Sequence, residues 1–384
     1  MIETWRWYGP YDKISLAEIR QTGAQGIVTA LHEVPYGEVW SREAIAARKA
    51  EIDAAGLTWQ VVESLPIHER IKRGEGDLSS LFSNYRQSMA NLAAEGLKII
   101  CYNFMPLLDW TRTDLTTPVL GGGTCLRFDA VRMCAFEVHM LGRANAAADY
   151  SAEVQVRAAE WAAQASQSDQ DGLLNAIMAG LPGAYDRYDV DSLRESIALY
   201  DGISHDDLRA NYKHFLQEVI PTAEELGIKM GVHPDDPPRD ILGLPRIVSN
   251  AQDIEWILGA VESPANGLTL CSGSLGANPA NDVPSIAHKF KDRIHFAHMR
   301  NVRKFPDGSF EEAAHLDGDT DMVALTKALL EAETAQATQI PYRPDHGHEL
   351  LDDAERATHP GYPLIGRLRG LAELRGVVHA LNAG

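Results

Sequence analysis

Tyr212 to Pro234 reads YKHFLQEVIPTAEELGIKMGVHP, and its two halves follow different patterns. Up to Leu226 it has the amphipathic periodicity of a helix, and Gly227 then stands where a helix stops. From Ile228 the chain becomes a short apolar run that ends on His233. A helix feeding straight into a buried strand is the repeating unit of folds built on a parallel sheet.

The same unit recurs along the chain. TWRWYG (4 to 9), GIVTAL (26 to 31), TWQVVES (58 to 64) and LKIICYNF (97 to 104) read as four strands in the first third. IKMGVHP (228 to 234), GLTLCSG (267 to 273), RIHFAHM (293 to 299) and QIPYRPD (339 to 345) read as four more. Amphipathic stretches lie between them, such as SREAIAARKAEIDAAG with a serine cap at Ser41 and a stop at Gly56. Eight such units predict a closed (β/α)8 barrel, and 384 residues suit one such catalytic domain with an insertion. The insertion is expected at 107 to 201, because about 120 residues separate the fourth and fifth strands. It holds a turn-like GGG at 121 to 123 and a polar helical run, AAADYSAEVQVRAAEWAAQASQ. A helical excursion over the barrel mouth and a peripheral decoration are both open readings of it.

Composition narrows the function. A formal net charge of −19 opposes binding to nucleic acid or anionic membranes. No run approaches the roughly 18 apolar residues of a membrane span, and MIETWRWYG lacks the basic and apolar parts of a signal segment. Four irregularly spaced cysteines (Cys101, Cys125, Cys134, Cys271) suggest no disulfide framework, so a cytoplasmic protein is expected. An anionic substrate would need local positive charge from a metal or from arginines.

The carboxyl ends of barrel strands surround the active site in this architecture. Here they carry Tyr8, His32, Glu63, Asn103, His233, Cys271, His298 and Asp345. The last four, on consecutive strands, form a His2CysAsp set suited to one divalent ion, and such donors accept Zn2+, Fe2+ or Mn2+. Asp235 and Asp236 compete with His233 but sit among prolines as cap or turn residues. His346, one residue past Asp345, is placed to exchange a proton near neutral pH. For substrate, Arg343 shares an inward face with Asp345, although a structural ion pair is an equal reading. Arg303 could clamp a carboxylate from the loop after the seventh strand. Tyr8 and Asn103 could hydrogen-bond hydroxyls at the mouth.

WRWYGP, CYNFMPLLDWTRTD, GVHPDDPPR, RPDHGHELLDD and HPGYPLIGRLRGLAELRG together resemble the mannonate dehydratase family, in its longer form, along essentially the whole chain. The resemblance implies a xylose-isomerase-like (β/α)8 barrel that converts D-mannonate to 2-dehydro-3-deoxy-D-gluconate in hexuronate catabolism, using Mn2+ or Fe2+. It implies His233, Cys271, His298 and Asp345 as metal ligands and His346 and Tyr362 as the proton-transfer pair, with their acid and base roles undivided. Residue patterns alone leave Tyr362 an ordinary tyrosine on a Pro/Gly loop. A homo-oligomer is expected, as is common for such barrels. The alternatives are a metal-dependent sugar isomerase of the same barrel class, with Glu63 and Glu33 as further acids, and a sugar-acid sensor without turnover.

Overall fold

The structure, a computed structural model, describes residues 1 to 180 and 189 to 383. Twelve strands occur among these residues: β1 Ile2–Arg6, β2 Gly26–Thr29, β3 Thr58–Glu63, β4 Ile99–Tyr102, β5 Asp114–Pro118, β6 Thr124–Phe128, β7 Lys229–Val232, β8 Asn266–Cys271, β9 Ile294–Met299, β10 Asn301–Lys304, β11 Phe310–Ala313 and β12 Pro341–Pro344. Eight of them close a parallel barrel in the order β1-β12-β9-β8-β7-β4-β3-β2. They are the eight runs read from the sequence, each slightly shorter than its apolar stretch. A closed parallel sheet is covered on both faces, so its strands need no polar side; β8 and β9 are buried at every residue.

Helices wrap the barrel where the sequence carries their end signals. Ser41 caps Arg42–Ala54 by accepting from the Ala44 amide at 3.2 Å. His205–Leu226 ends on Gly227, whose φ of 64° lets the chain turn directly into β7. The main apolar core lies between strands and helices. A smaller cluster of Val28, Val61, Cys101 and Phe296 packs separately, from β2, β3, β4 and β9, beneath the polar strand ends.

The stretch 107 to 201 departs from the helical expectation. Besides helices such as Ala152–Gln164 and Gln167–Met178, it contains the antiparallel hairpin β5-β6, with the glycines at 121 to 123 in its turn at φ of 87 to 99°. This hairpin joins β10 and β11, two strands that carry no clear sequence signal, in a second sheet of order β10-β11-β6-β5. Phe128 stacks on Phe310 across it, 5.4 Å between centroids. The sheet and neighbouring helices share a second apolar core that includes Leu108, Phe136, Leu173, Val302 and Phe310. Residues 181 to 188 of the expected insertion lie outside the described residues. The hairpin also bonds to the loop after β12: the Thr124 amide donates to Glu349 O at 3.1 Å, and the Glu349 amide returns to Thr124 O at 2.9 Å. The second sheet is thereby fastened to the segment that carries His346.

Candidate active site

His233, Cys271 and His298 present donor atoms that all lie within 4.8 Å of one another. Each histidine has one nitrogen fixed by a neighbour. His233 Nδ1 is 2.7 Å from Pro234 O, and because a carbonyl only accepts, that nitrogen carries the proton. His298 Nε2 is likewise held by Glu63, at 3.2 Å. The remaining nitrogens, His233 Nε2 and His298 Nδ1, face each other at 3.0 Å. Two donors bound at right angles about 2.1 Å from one ion are about 3 Å apart, so this pair fits a shared cation. Asp345 Oδ2 stands 3.8 Å from His298 Nδ1 and 3.9 Å from Cys271 Sγ.

Electrostatics prepare the same set. Burial alone would raise the Cys271 thiol, but Arg300 and His233 outweigh it and hold it well below the ordinary thiol range. The sulfur also accepts from the Ser274 amide at 3.4 Å and its hydroxyl at 3.2 Å. Burial would lower His233, yet the adjacent thiolate lifts it to about 9. A divalent ion would replace that proton as the neutralising charge. Glu63, Cys101 and His298 form a second triple within 4.8 Å. Burial pushes the Cys101 thiol well up, and Arg343 occupies Glu63 at 2.9 and 3.1 Å, so this triple is the poorer cation site.

Beside the donors lies the proton-transfer pair implied by the resemblance. Tyr362 donates its hydroxyl to Asp345 Oδ1 at 3.1 Å, and burial with the Asp345 charge pushes its phenol well up. His346 Nδ1 rests 2.9 Å from Glu312 Oε1 and 3.1 Å from Arg300 Nη1. The two rings meet edge to face, 5.1 Å between centroids. His233, Arg300, Asp345, His346 and Tyr362 border one cavity of about 480 Å³, a suitable size for a sugar acid, whereas Cys271, His298 and Glu312 do not line it. Asp109, Trp110, Ala179 and Gly180 also line it, so 107 to 201 reaches the mouth at its start and again at residues 179 and 180.

The expected substrate residues separate. Tyr8 lines the cavity, stacked on His359 at 4.2 Å and edge-on to Tyr362 at 5.2 Å. Asn103 lines it beside Asp109. Arg343 borders the space but spends its guanidinium on Glu63 and Asp345, the ion-pair alternative. Arg303 is not brought to the site: it is exposed on β10 and donates to Asp317 O at 3.2 Å. The chain leaves the barrel after Met299, and β10 carries position 303 outward.

Arg300, missed in the sequence, does turn inward. It bonds Asp236, Glu312 and Ser274, and its Nε lies 3.1 Å from Asp345 Oδ2. The signal was available, since side chains two apart on a strand share a face and Arg300 follows His298 by two. Asp236 also proves more than a turn residue. It pairs with Arg112 at 2.7 Å and with Arg300, and although burial would raise its carboxyl, the two guanidiniums hold it far below the usual range. Asp235 instead braces the loop, accepting from the Val248 amide at 2.6 Å and Ser249 Oγ at 2.9 Å. Removing one member of such a buried ion network typically costs about 3–5 kcal/mol.

Gly273 makes room for Arg300, because a Cβ there would fall 2.3 Å from Nε and 2.4 Å from Cγ. Gly273→Ala is therefore expected to displace Arg300 and destabilise the fold by about 1–3 kcal/mol. A variant that melts with the parent, with Arg300 unmoved in its crystal structure, would refute this.

Comparison with known proteins gives one answer. The family model for D-mannonate dehydratase (UxuA) matches residues 1 to 384. A mannonate dehydratase of Chromohalobacter salexigens is 54% identical over 387 residues, covering 100% of this chain and 99% of the relative. One of Marinomonas sp. is 49% identical over 389 residues and 100% of both chains. The crystal structure of mannonate dehydratase from Streptococcus suis serotype 2 superposes with a TM-score of 0.80 at 36% identity, covering 100% of this chain and 96% of that one. A full-length match of this depth, on a barrel whose strand ends converge as described, makes this chain a member of the D-mannonate dehydratase family.

Proposed function

We propose that this chain removes water from D-mannonate to give 2-dehydro-3-deoxy-D-gluconate, with one divalent ion held by His233, Cys271, His298 and Asp345. The observation that carries the reading is the meeting of nitrogen, sulfur and carboxylate donors beside a cavity lined by His233, Asp345, His346 and Tyr362, in a chain of this family. The donor set suits Mn2+ or Fe2+, the ions the family resemblance implies. Bound there, the ion would act as a Lewis acid on substrate oxygens beside C2, a contribution of several kcal/mol in comparable sites.

The chain's own groups divide the proton work. Dehydration takes a proton from C2 and releases the C3 hydroxyl, and the enol formed then becomes the 2-keto acid. His346, braced through Nδ1, serves as the base at C2. Tyr362, which keeps its proton beside Asp345, donates to the leaving hydroxyl. Tyr8 and Asn103 are positioned for sugar hydroxyls, while Arg343 orients Glu63 and Asp345. The barrel and the described parts of 107 to 201 act as one catalytic unit, since both border the cavity. Four cysteines without disulfides fit a cytoplasmic enzyme, and among the described residues no helix is long and apolar enough to cross a membrane.

A metal-dependent isomerase would call for further carboxylates free to bridge ions. Here Glu63, Asp236 and Glu312 are each engaged by buried arginines. Incubating the protein with D-mannonate and added Mn2+ or Fe2+ should produce a 2-keto acid. No keto acid with either ion, or an isomerised sugar in its place, would overturn the reading.

A further inference from the structure

The His346 ring contacts two groups through Nδ1, and they favour different tautomers. Arg300 Nη1, at 3.1 Å, can only donate. Glu312 Oε1, at 2.9 Å, is an ionised acceptor, because the Arg300 and Arg112 guanidiniums, with the hydrogen bond from His346, outweigh the burial that would raise its acid. Arg300 Nη1 already donates to that same oxygen, and Arg112 Nη2 reaches it at 2.7 Å. A bare Nδ1 would thus set a lone pair against a carboxylate, whereas a protonated Nδ1 gives Glu312 a bond and costs Arg300 nothing. Nε2, across the ring from Glu312, makes no hydrogen bond among the described residues, and His346 lines the cavity.

We propose that Glu312, on β11, is a positioning residue that selects the Nδ1–H tautomer of His346 and so presents the Nε2 lone pair to substrate. The inference rests on His346 being the base, as argued above. It also explains what the second sheet contributes. The β10-β11-β6-β5 layer holds Glu312 behind the ring, while the Thr124 and Glu349 backbones tie it to the loop that carries His346. Glu312 is 1% exposed, and its backbone carbonyl accepts from His348 Nε2 at 2.9 Å, which leaves it little freedom to move.

The test compares Glu312→Gln, His346→Gln and the double variant, each loaded with Mn2+ and assayed on D-mannonate. A glutamine amide can rotate to donate to Nδ1, which releases the wrong tautomer. Glu312→Gln should lower kcat roughly 10²- to 10⁴-fold, with KM within about 3-fold of the parent. In the His346→Gln background the same change should cost almost nothing more, since the ring it positions is gone. If Glu312→Gln keeps parental kcat, or if its loss persists undiminished in the double variant, the positioning role is wrong. If His346→Gln itself remains active, it is the assignment of His346 as base that fails. Because a variant in this buried network can fail to fold, ring-nitrogen NMR on the parent chain loaded with Zn2+ supplies a measure free of that risk. A neutral His346 protonated at Nδ1 is expected, and protonation at Nε2 alone overturns the proposal.

Discussion

Replacing Cys271 by serine is expected to strip the protein of tightly held metal and of nearly all activity. The sulfur is the set's only soft, anionic donor and it sits at the end of β8, fully buried, with Ser274 and Arg300 already stabilising its charge. A serine hydroxyl in its place stays protonated and offers one neutral, hard oxygen. Losing an outer-shell partner typically costs 10- to 100-fold in metal affinity, so losing a ligand should cost at least about 10²-fold. The fold should survive, because Arg300 retains Asp236, Glu312 and Asp345 around it. Metal content after dialysis and turnover against added Mn2+ measure the effect. One equivalent of metal still bound to Cys271→Ser at parental affinity would remove the sulfur from the site.

What could be read from residues, and what could not, follows from how far each feature depends on distant partners. The eight barrel strands were legible because each is mostly buried, β8 and β9 at every residue, and so shows as a largely apolar run ending in a polar group at the cavity. His233, Cys271, His298 and Asp345 stood out for that reason. β5 has no such signature: its residues are half-buried or exposed, and DLTTP reads as a loop. Glu312 was invisible in a different way. In FEEA it resembles a solvated acid, and what buries it are Arg112, 200 positions away, and Arg300, 12 away. Arg300 went unread because it lies just past β9, where one more inward residue precedes β10.

His346→Gln should lower kcat by roughly 10²- to 10⁴-fold, the usual share of a general base, while metal content and KM stay near those of the parent. Glutamine fills much of the same space and can still bond Glu312, but it cannot take up a proton from C2. A 10³-fold loss corresponds to about 4 kcal/mol of transition-state stabilisation. The donor atoms belong to other side chains, so one ion per chain should remain bound. Rescue by a neighbouring ring is blocked on structural grounds. His32 Nε2 lies 3.3 Å from the Arg6 guanidinium, and burial together with Arg6 depresses its imidazole to about 3, too weak a base for a proton on carbon. His359 is stacked flat on Tyr8, its Nδ1 is 3.3 Å from Pro360 O, and burial lowers it to about 4. Tyr362 holds its proton toward Asp345 and enters on the side of the leaving group. A His346→Gln enzyme within tenfold of parental kcat would mean that the proton at C2 leaves by a route none of these groups provides, and the assignment of His346 would have to be withdrawn.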